Sequence, residues 1–424
     1  MNHFEYRNGE MYAEGVAVKR IAREVGTPAY IYSLATLKRH YQVFDQAFAK
    51  IPHIVCFSVK ANSNLTVLRT FAKEGSGFDI VSGGELFRAL KAGGDPKKIV
   101  FSGVGKKTDE IEYALNSEIL MFNVESEDEL VALNEIARAS GKKAPISIRV
   151  NPDVDPQTHP YISTGMKKSK FGVEIKKSLE TYKKAAALPN VDVVGVDCHI
   201  GSQLTSLSPF VDALARVREY LDRVLVGSLE KEGAQIRYLD LGGGLGINYN
   251  DETPPQPEEY ARAIIEGLEG LDVTLILEPG RVIVGNAGIL VTEVQYVKEN
   301  EAKKFVIVDG GMNDLIRPAL YGSYQAIRPV VETRAEKIVA DIVGPICESG
   351  DYMAKDRALP EPKEGDLLAI MSAGAYGAVQ SGTYNTRALA PEVLVKDDRY
   401  AVVRPRVEVE DIIALDKPAP WLSN

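Results

Sequence analysis

The stretch HIVCFSVKANSNLTVLRTFAKEGSGFDIVS, residues 53–82, places two short apolar runs on either side of a segment with helical period. Ile54 to Val59 is continuous and apolar, as a buried strand is, while the apolar residues of Leu65-Thr66-Val67-Leu68-Arg69-Thr70-Phe71-Ala72 recur at three and four and so share one helix face. The same alternation continues along the chain. Eight strand-like runs lie near His53 to Lys60, Gly77 to Val81, Ile99 to Ser102, Ile119 to Val124, Ile146 to Asn151, Val193 to His199, Tyr238 to Leu241 and Thr274 to Glu278. Helical stretches such as Glu129 to Ile136 separate them. Eight strands each followed by a helix, over roughly 250 residues, is the count of an α/β fold of the TIM type, a (β/α)8 barrel. An open doubly wound sheet permits the same alternation.

Beyond Val282 the pattern changes. Ile289 to Val294, Phe305 to Val308, Lys337 to Val343 and Ala401 to Val407 follow one another with few helices between, which predicts a second, mostly antiparallel β domain. The expected division is 36–282 for the barrel and 1–35 with 283–424 for the β domain, although a strand at Ala29 to Tyr32 could join either.

Composition narrows the partners. The 424 residues are 45% hydrophobic and 26% charged, ordinary for a globular protein of two domains. The longest apolar runs fall far short of the roughly 18 residues a membrane span needs, and the first residues lack the pattern of a signal peptide, so a cytoplasmic location is expected. A net charge of −9 argues against nucleic acid and for small molecules. Three cysteines, Cys56, Cys198 and Cys347, without C-x-x-C spacing, indicate neither a disulfide framework nor a zinc site, and no metal is expected.

Reactive groups of a barrel sit where its strands end. Lys60, Asp79, Ser102, Asn123, Arg149, His199, the glycines from Gly242 and Glu278 all fall there. An amine emerging from an apolar strand is desolvated and becomes a better nucleophile toward an aldehyde, though a strand-end lysine also reaches solvent readily. Gly242-Gly243-Gly244-Leu245-Gly246 follows the seventh strand, where barrels often hold phosphate on unobstructed backbone N–H groups; tight turns alone also need glycine. Glu278-Pro279-Gly280-Arg281 sets a carboxylate and a guanidinium at one rim, able to hold a pyridine nitrogen protonated and to grip an anion, or else to form a plain salt bridge. His199 could lie on a cofactor ring. Cys347, beside Glu348 among turn residues, could deliver a proton or could be a small buried hydrophobe.

In order along the chain, Phe57 to Asn62, Asp197 to Gln203, the Gly242 cluster, Glu278 to Arg281, Asn313 to Tyr321 and Cys347 to Asp351 resemble the fold-type III pyridoxal phosphate (PLP) decarboxylases. Thr158 to Gly165 and Lys170-Phe171-Gly172 resemble the branch acting on diaminopimelate, rather than those acting on ornithine or arginine. The resemblance implies that Lys60 carries PLP as a Schiff base, that His199 stacks on the ring and that Glu278 pairs with the pyridine nitrogen. Ser202, Gly243, Gly244, Gly280, Arg281 and Tyr376 would complete cofactor binding. Arg281, Arg317, Tyr321 and Tyr376 would meet the substrate, with Glu348 at its amine and Cys347 as the acid that protonates the carbanion. It also implies a homodimer with shared active sites. The activity implied is decarboxylation of meso-2,6-diaminopimelate to L-lysine and CO2, the last step of lysine biosynthesis. The alternatives are a decarboxylase of another basic amino acid, a racemase on the same barrel and a catalytically silent PLP-binding regulator. A racemase of the alanine type would resemble this fold but place arginine where Glu278 stands. Gln325 departs from the histidine found in many relatives.

Overall fold

The apolar run that opens the alternation folds as β1, His53–Ser58, in a computed structural model that describes residues 2–155, 159, 170–221 and 235–422. Beside it run β2 (Gly77–Ile80), β3 (Ile99–Phe101), β4 (Met121–Val124), β5 (Ala144–Asn151), β6 (Val191–Asp197), β7 (Tyr238–Asp240) and β8 (Thr274–Leu277). All neighbours are parallel, and β8 pairs back onto β1 through Leu275–His53, Ile276–Ile54 and Leu277–Val55. The sheet is therefore a closed eight-stranded barrel, not an open doubly wound one. Intervening helices start where side chains satisfy their first N–H groups. Asn64 caps Leu65–Lys73 through Thr66 N–H, and Ser82 and Ser126 cap Gly83–Lys91 and Glu127–Ala139 through Glu85 and Glu129 N–H.

Side chains along a strand alternate faces, so residues two apart share one. Cys56, Val100, Met121, Val194 and Ile276, from five strands, form a single buried apolar cluster. Two positions farther on, Ser58, Ser102, Asn123 and Glu278 are buried and polar. The barrel interior thus passes from an apolar layer to a polar one toward the ends where its chemistry sits. Cys56 belongs to the first layer, and burial pushes its thiol pKa well up, so it behaves as a small hydrophobe.

The chain divides into two compact units: residues 38–248 with 252–283, which hold the barrel, and residues 1–37 with 249–251 and 284–424. In the second, the long strand Gly288–Glu299 pairs antiparallel with Ala29–Ser33, Lys304–Val308 and Leu367–Ile370. The Ala29 strand, whose membership the sequence left open, is therefore a β-unit strand. Lys304–Val308 with Lys337–Val343, and Ala29–Ser33 with Glu392–Lys396, are the parallel exceptions among the pairs of this mostly antiparallel sheet. Its core includes Met11, Val18, Ile21, Ile31, Ile289 and Val393. The run Thr158 to Gly165, His159 excepted, lies outside the described residues.

Tyr182, on the helix Ile175–Ala187, is buried with its hydroxyl donating to Gly195 O at 2.9 Å and Ile148 O at 3.3 Å, tying that helix to β5 and β6. Tyr182→Phe removes those bonds and should destabilise the protein by about 1–2 kcal/mol, read as a lower urea midpoint.

Candidate active site

Lys60 stands just past β1, in the turn Val59–Ala61 rather than in the strand itself. Its Nζ lies 2.6 Å from Asp79 Oδ2, and Ser58 donates its hydroxyl to the same oxygen at 2.7 Å. The Lys60 side chain is 35% exposed while that of Asp79 is fully buried. The amine is thus held by a carboxylate from β2, a partner nineteen residues away that the strand-end reading marked only as polar. Asp79 Oδ1 is buried without a hydrogen bond among the described residues.

Glu278, 5% exposed, follows β8 directly. Ser102 Oγ lies 3.3 Å and Asn123 Nδ2 3.4 Å from its Oε1. The Asn123 amide also donates to Asp240 Oδ2 at 3.2 Å and to Ser102 Oγ at 3.0 Å, while its own oxygen accepts from Ser147 at 2.6 Å. Burial, then the carboxylates of Asp240, Asp79 and Asp197, push the Glu278 pKa well up, with Lys60 opposing. Burial also raises Asp240, to about 6, although Gly242 N–H donates to it at 2.8 Å. Both carboxyls therefore keep their protons to higher pH than solvated ones do.

His199, two residues past β6, accepts from Gly243 N–H on Nδ1 at 3.2 Å, which places the proton of the neutral ring on Nε2. Burial, Arg149 and Lys60 push its pKa well below the ordinary value, so the ring is an uncharged flat face. The glycine loop is wedged against these groups. A Cβ at Gly242 would come within 2.5 Å of His199 Nδ1, one at Gly244 within 2.7 Å of Gly201 O, and one at Gly243 would overlap Glu278 O. Arg281 Nη2 donates to Ser202 Oγ at 3.0 Å. Gly280, between Glu278 and Arg281, accepts from Ile283 N–H on its carbonyl oxygen at 3.1 Å. Lys60, His199, Ser202, Gly243, Gly244, Glu278, Gly280 and Arg281 accordingly all belong to the barrel unit.

The remaining expected residues belong to the β unit. Arg317 is buried at the start of the short helix Arg317–Tyr321, its guanidinium 5.3 Å from the ring centre of Tyr249 and 5.7 Å from that of Tyr321. Tyr376 is half-buried with φ 55°. Cys347 is exposed, not the buried hydrophobe a free thiol usually is, and Glu348 beside it is exposed too. Gln325 is fully buried. Sequence reasoning did not give Asp240 a place in the site; an acid inside the apolar run Tyr238 to Leu241 was the available signal.

A closed barrel with an amine, a neutral imidazole, a buried carboxyl and a glycine cradle at its strand ends is the frame of a pyridoxal-dependent decarboxylase. Residues 34–285 match the family described as "Pyridoxal-dependent decarboxylase, pyridoxal binding domain". Over 99% of this chain and the whole of the relative, the sequence is 54% identical to a diaminopimelate decarboxylase of Pseudomonas aeruginosa. Among solved structures, diaminopimelate decarboxylase from Helicobacter pylori complexed with L-lysine matches with TM-score 0.89 and 44% identity, covering 94% of this chain and 98% of that one. The M. jannaschii enzyme in co-complex with L-lysine matches with TM-score 0.93 and 39% identity over both full lengths. The chain belongs to the diaminopimelate decarboxylase family.

Two outcomes are expected from this geometry. Gly243→Ala forces a methyl group into the Glu278 carbonyl and should weaken pyridoxal phosphate binding by roughly tenfold or more, measured by equilibrium titration of the apoprotein. Asp240 keeps its proton in the folded chain up to about pH 6, whereas an unfolded aspartate loses it near pH 4, about its unperturbed pKa. The folded state therefore binds more protons between these values, and the stability this gives is full at low pH and lost as pH rises through 6. Thermal melts of apoprotein should show that decline, and Asp240→Asn should flatten it.

Proposed function

We propose that this protein decarboxylates meso-2,6-diaminopimelate to L-lysine and CO2, with pyridoxal phosphate held on Lys60. The single observation that carries the reading is Glu278, a buried carboxyl directly after β8, with Ser102 Oγ 3.3 Å and Asn123 Nδ2 3.4 Å from its Oε1. The residues present suit the cofactor. Asp79 offers a buried oxygen that makes no hydrogen bond among the described residues, the Gly242 to Gly244 backbone forms a cradle that a Cβ would fill, and Ser202 with Arg281 supplies donors for an anion. Pyridoxal phosphate, when bound, supplies an aldehyde carbon for an amine and a ring that accepts the electron pair left by a departing carboxylate.

The chain's own groups then divide the work. Lys60 would hold the cofactor through its amine, with Asp79, 2.6 Å from Nζ, as the partner of that amine when it is charged. Glu278, ionised once the ring is in place, would accept a hydrogen bond from the protonated pyridine nitrogen and keep it charged. His199, neutral and flat, stacks on the ring, and Ser202, Gly243, Gly244, Gly280, Arg281 and Tyr376 hold the phosphate end. Arg281, Arg317, Tyr321 and Tyr376 would grip the carboxylate that is retained, Glu348 the distal amine, and Cys347 would deliver the proton that replaces CO2. Ornithine and arginine lack a second carboxylate, which favours diaminopimelate over them. A racemase is disfavoured because a carboxyl, not a guanidinium, follows β8. A silent regulator is disfavoured because Lys60 and Cys347 are both present.

The working form proposed is a homodimer with shared active sites, in the cytoplasm, without nucleic acid or membrane. Among the described residues no helix is long and apolar enough to cross a membrane. The test is release of CO2 and L-lysine from meso-diaminopimelate, run beside ornithine, arginine and lysine. Glu278→Ala should retain the cofactor while kcat falls roughly 10²–10³-fold, the scale for removing one preorganised electrostatic group. Full turnover in that variant would remove the role given to Glu278, and equal gas from ornithine would overturn the substrate assignment.

A further inference from the structure

Cys347 and Glu348 stand on a loop gripped at its base and braced at its crest. Ile346 and Asp351 are buried, and the Asp351 carboxylate accepts from Ile346 N–H at 2.6 Å and from Met312 N–H at 2.7 Å. Residues 347–350 between them are exposed. A second segment, Tyr384-Asn385-Thr386, reaches both functional residues. Asn385 Oδ1 accepts from Cys347 N–H at 2.9 Å, and Tyr384 donates its hydroxyl to Glu348 Oε1 at 2.6 Å. Asn385 (φ 56°) and Thr386 (φ 55°) lie in the left-handed region, which asparagine tolerates and a β-branched residue resists. Such backbone persists where its surroundings impose it. Here Thr386 N–H donates to Thr383 O at 2.9 Å, and Gly382 N–H donates to Asn313 O at 2.8 Å, in the same run as Arg317.

We propose that Tyr384 and Asn385 are positioning residues for the reaction: Asn385 fixes the backbone that presents the Cys347 thiol, and Tyr384 fixes the Glu348 carboxylate. The proposal rests on the roles given above to Cys347 and Glu348. An exposed glutamate is free to sample many rotamers, and a tyrosine with two torsions selects one of them at low entropic cost. The carboxylate in turn raises the Tyr384 pKa, through their hydrogen bond first, so the hydroxyl remains a donor at working pH. A proton donor must meet its carbon within a narrow geometry, so small displacements of the thiol are expensive in rate.

The experiment uses the holoenzyme with meso-diaminopimelate, and with 2-aminopimelate, which lacks the distal amine. Tyr384→Phe should raise KM for meso-diaminopimelate roughly three- to tenfold with kcat within about twofold, as loss of ground-state binding does. It should leave 2-aminopimelate unaffected and add nothing in a Glu348→Gln background. Asn385→Gly keeps the left-handed backbone but loses the acceptor, and should lower kcat about tenfold at unchanged KM, with Asn385→Asp recovering part of the loss. The cofactor spectrum and melting temperature report folding in each case. Cys347→Ser and Glu348→Gln are measured alongside. If these two behave as wild type, the roles assigned to Cys347 and Glu348 fail and the proposal with them. If they are impaired while Tyr384→Phe and Asn385→Gly are normal, or if Tyr384→Phe and Glu348→Gln are additive, the positioning role alone is overturned.

Discussion

The barrel is organised around an excess of buried carboxyls over buried cations at one end of a parallel sheet. Asp79, Asp197, Asp240 and Glu278 are all buried there. Lys60 faces Asp79, and Arg149 is committed to Glu125 at 2.9 Å with Asp197 at 3.9 Å. An unpaired buried carboxylate costs several kcal/mol, so burial raises the pKa of Asp197, Asp240 and Glu278. The amide of Asn123 and the hydroxyls of Ser58 and Ser102 contact three of these carboxyls, while Asp79 Oδ1 and Asp197 Oδ1 make no hydrogen bond among the described residues. The neutral His199 follows from the same environment, since burial and two nearby cations disfavour a charged imidazole.

The β unit presents chemistry in the opposite manner. Its thiol and the adjacent carboxylate lie on an exposed loop, and their order comes from hydrogen bonds donated and accepted by neighbouring loops rather than from packing. Arg317 is the exception, buried against the rings of Tyr249 and Tyr321. Segments directly after the barrel strands thus carry the groups proposed to hold a cofactor, and loops of the β unit carry the thiol and carboxylate proposed to meet the substrate. That division fits a fold shared by enzymes of different specificity.

Much of the barrel was legible because its strands are continuous apolar runs and its helices keep a period near 3.6, so each announces itself locally. Lys60, His199 and Glu278 were legible for a related reason: polar residues at the ends of apolar strands stand out. The pairing of Lys60 with Asp79 was not, because it joins adjacent strands across a helix and leaves no local trace. Asp240 was hidden by the glycines that follow it. In the β unit, the strand Tyr352–Pro360 escaped notice because Lys355, Asp356 and Arg357 interrupt its apolar pattern. Tyr384 and Asn385 lie in a turn without periodicity, and only their contacts give them meaning.

The stacking of a polar layer two residues above an apolar one has a consequence for how such a protein can change. Cys56 and Ser58, Met121 and Asn123, and Ile276 and Glu278 project from the same faces of their strands. A slip by a single residue in any of these strands would turn carboxyl and amide outward while exposing the hydrocarbon beneath. Folding and reactivity are written in one reading frame, so insertions are confined to the connecting segments, and divergence within the family has to proceed through loops.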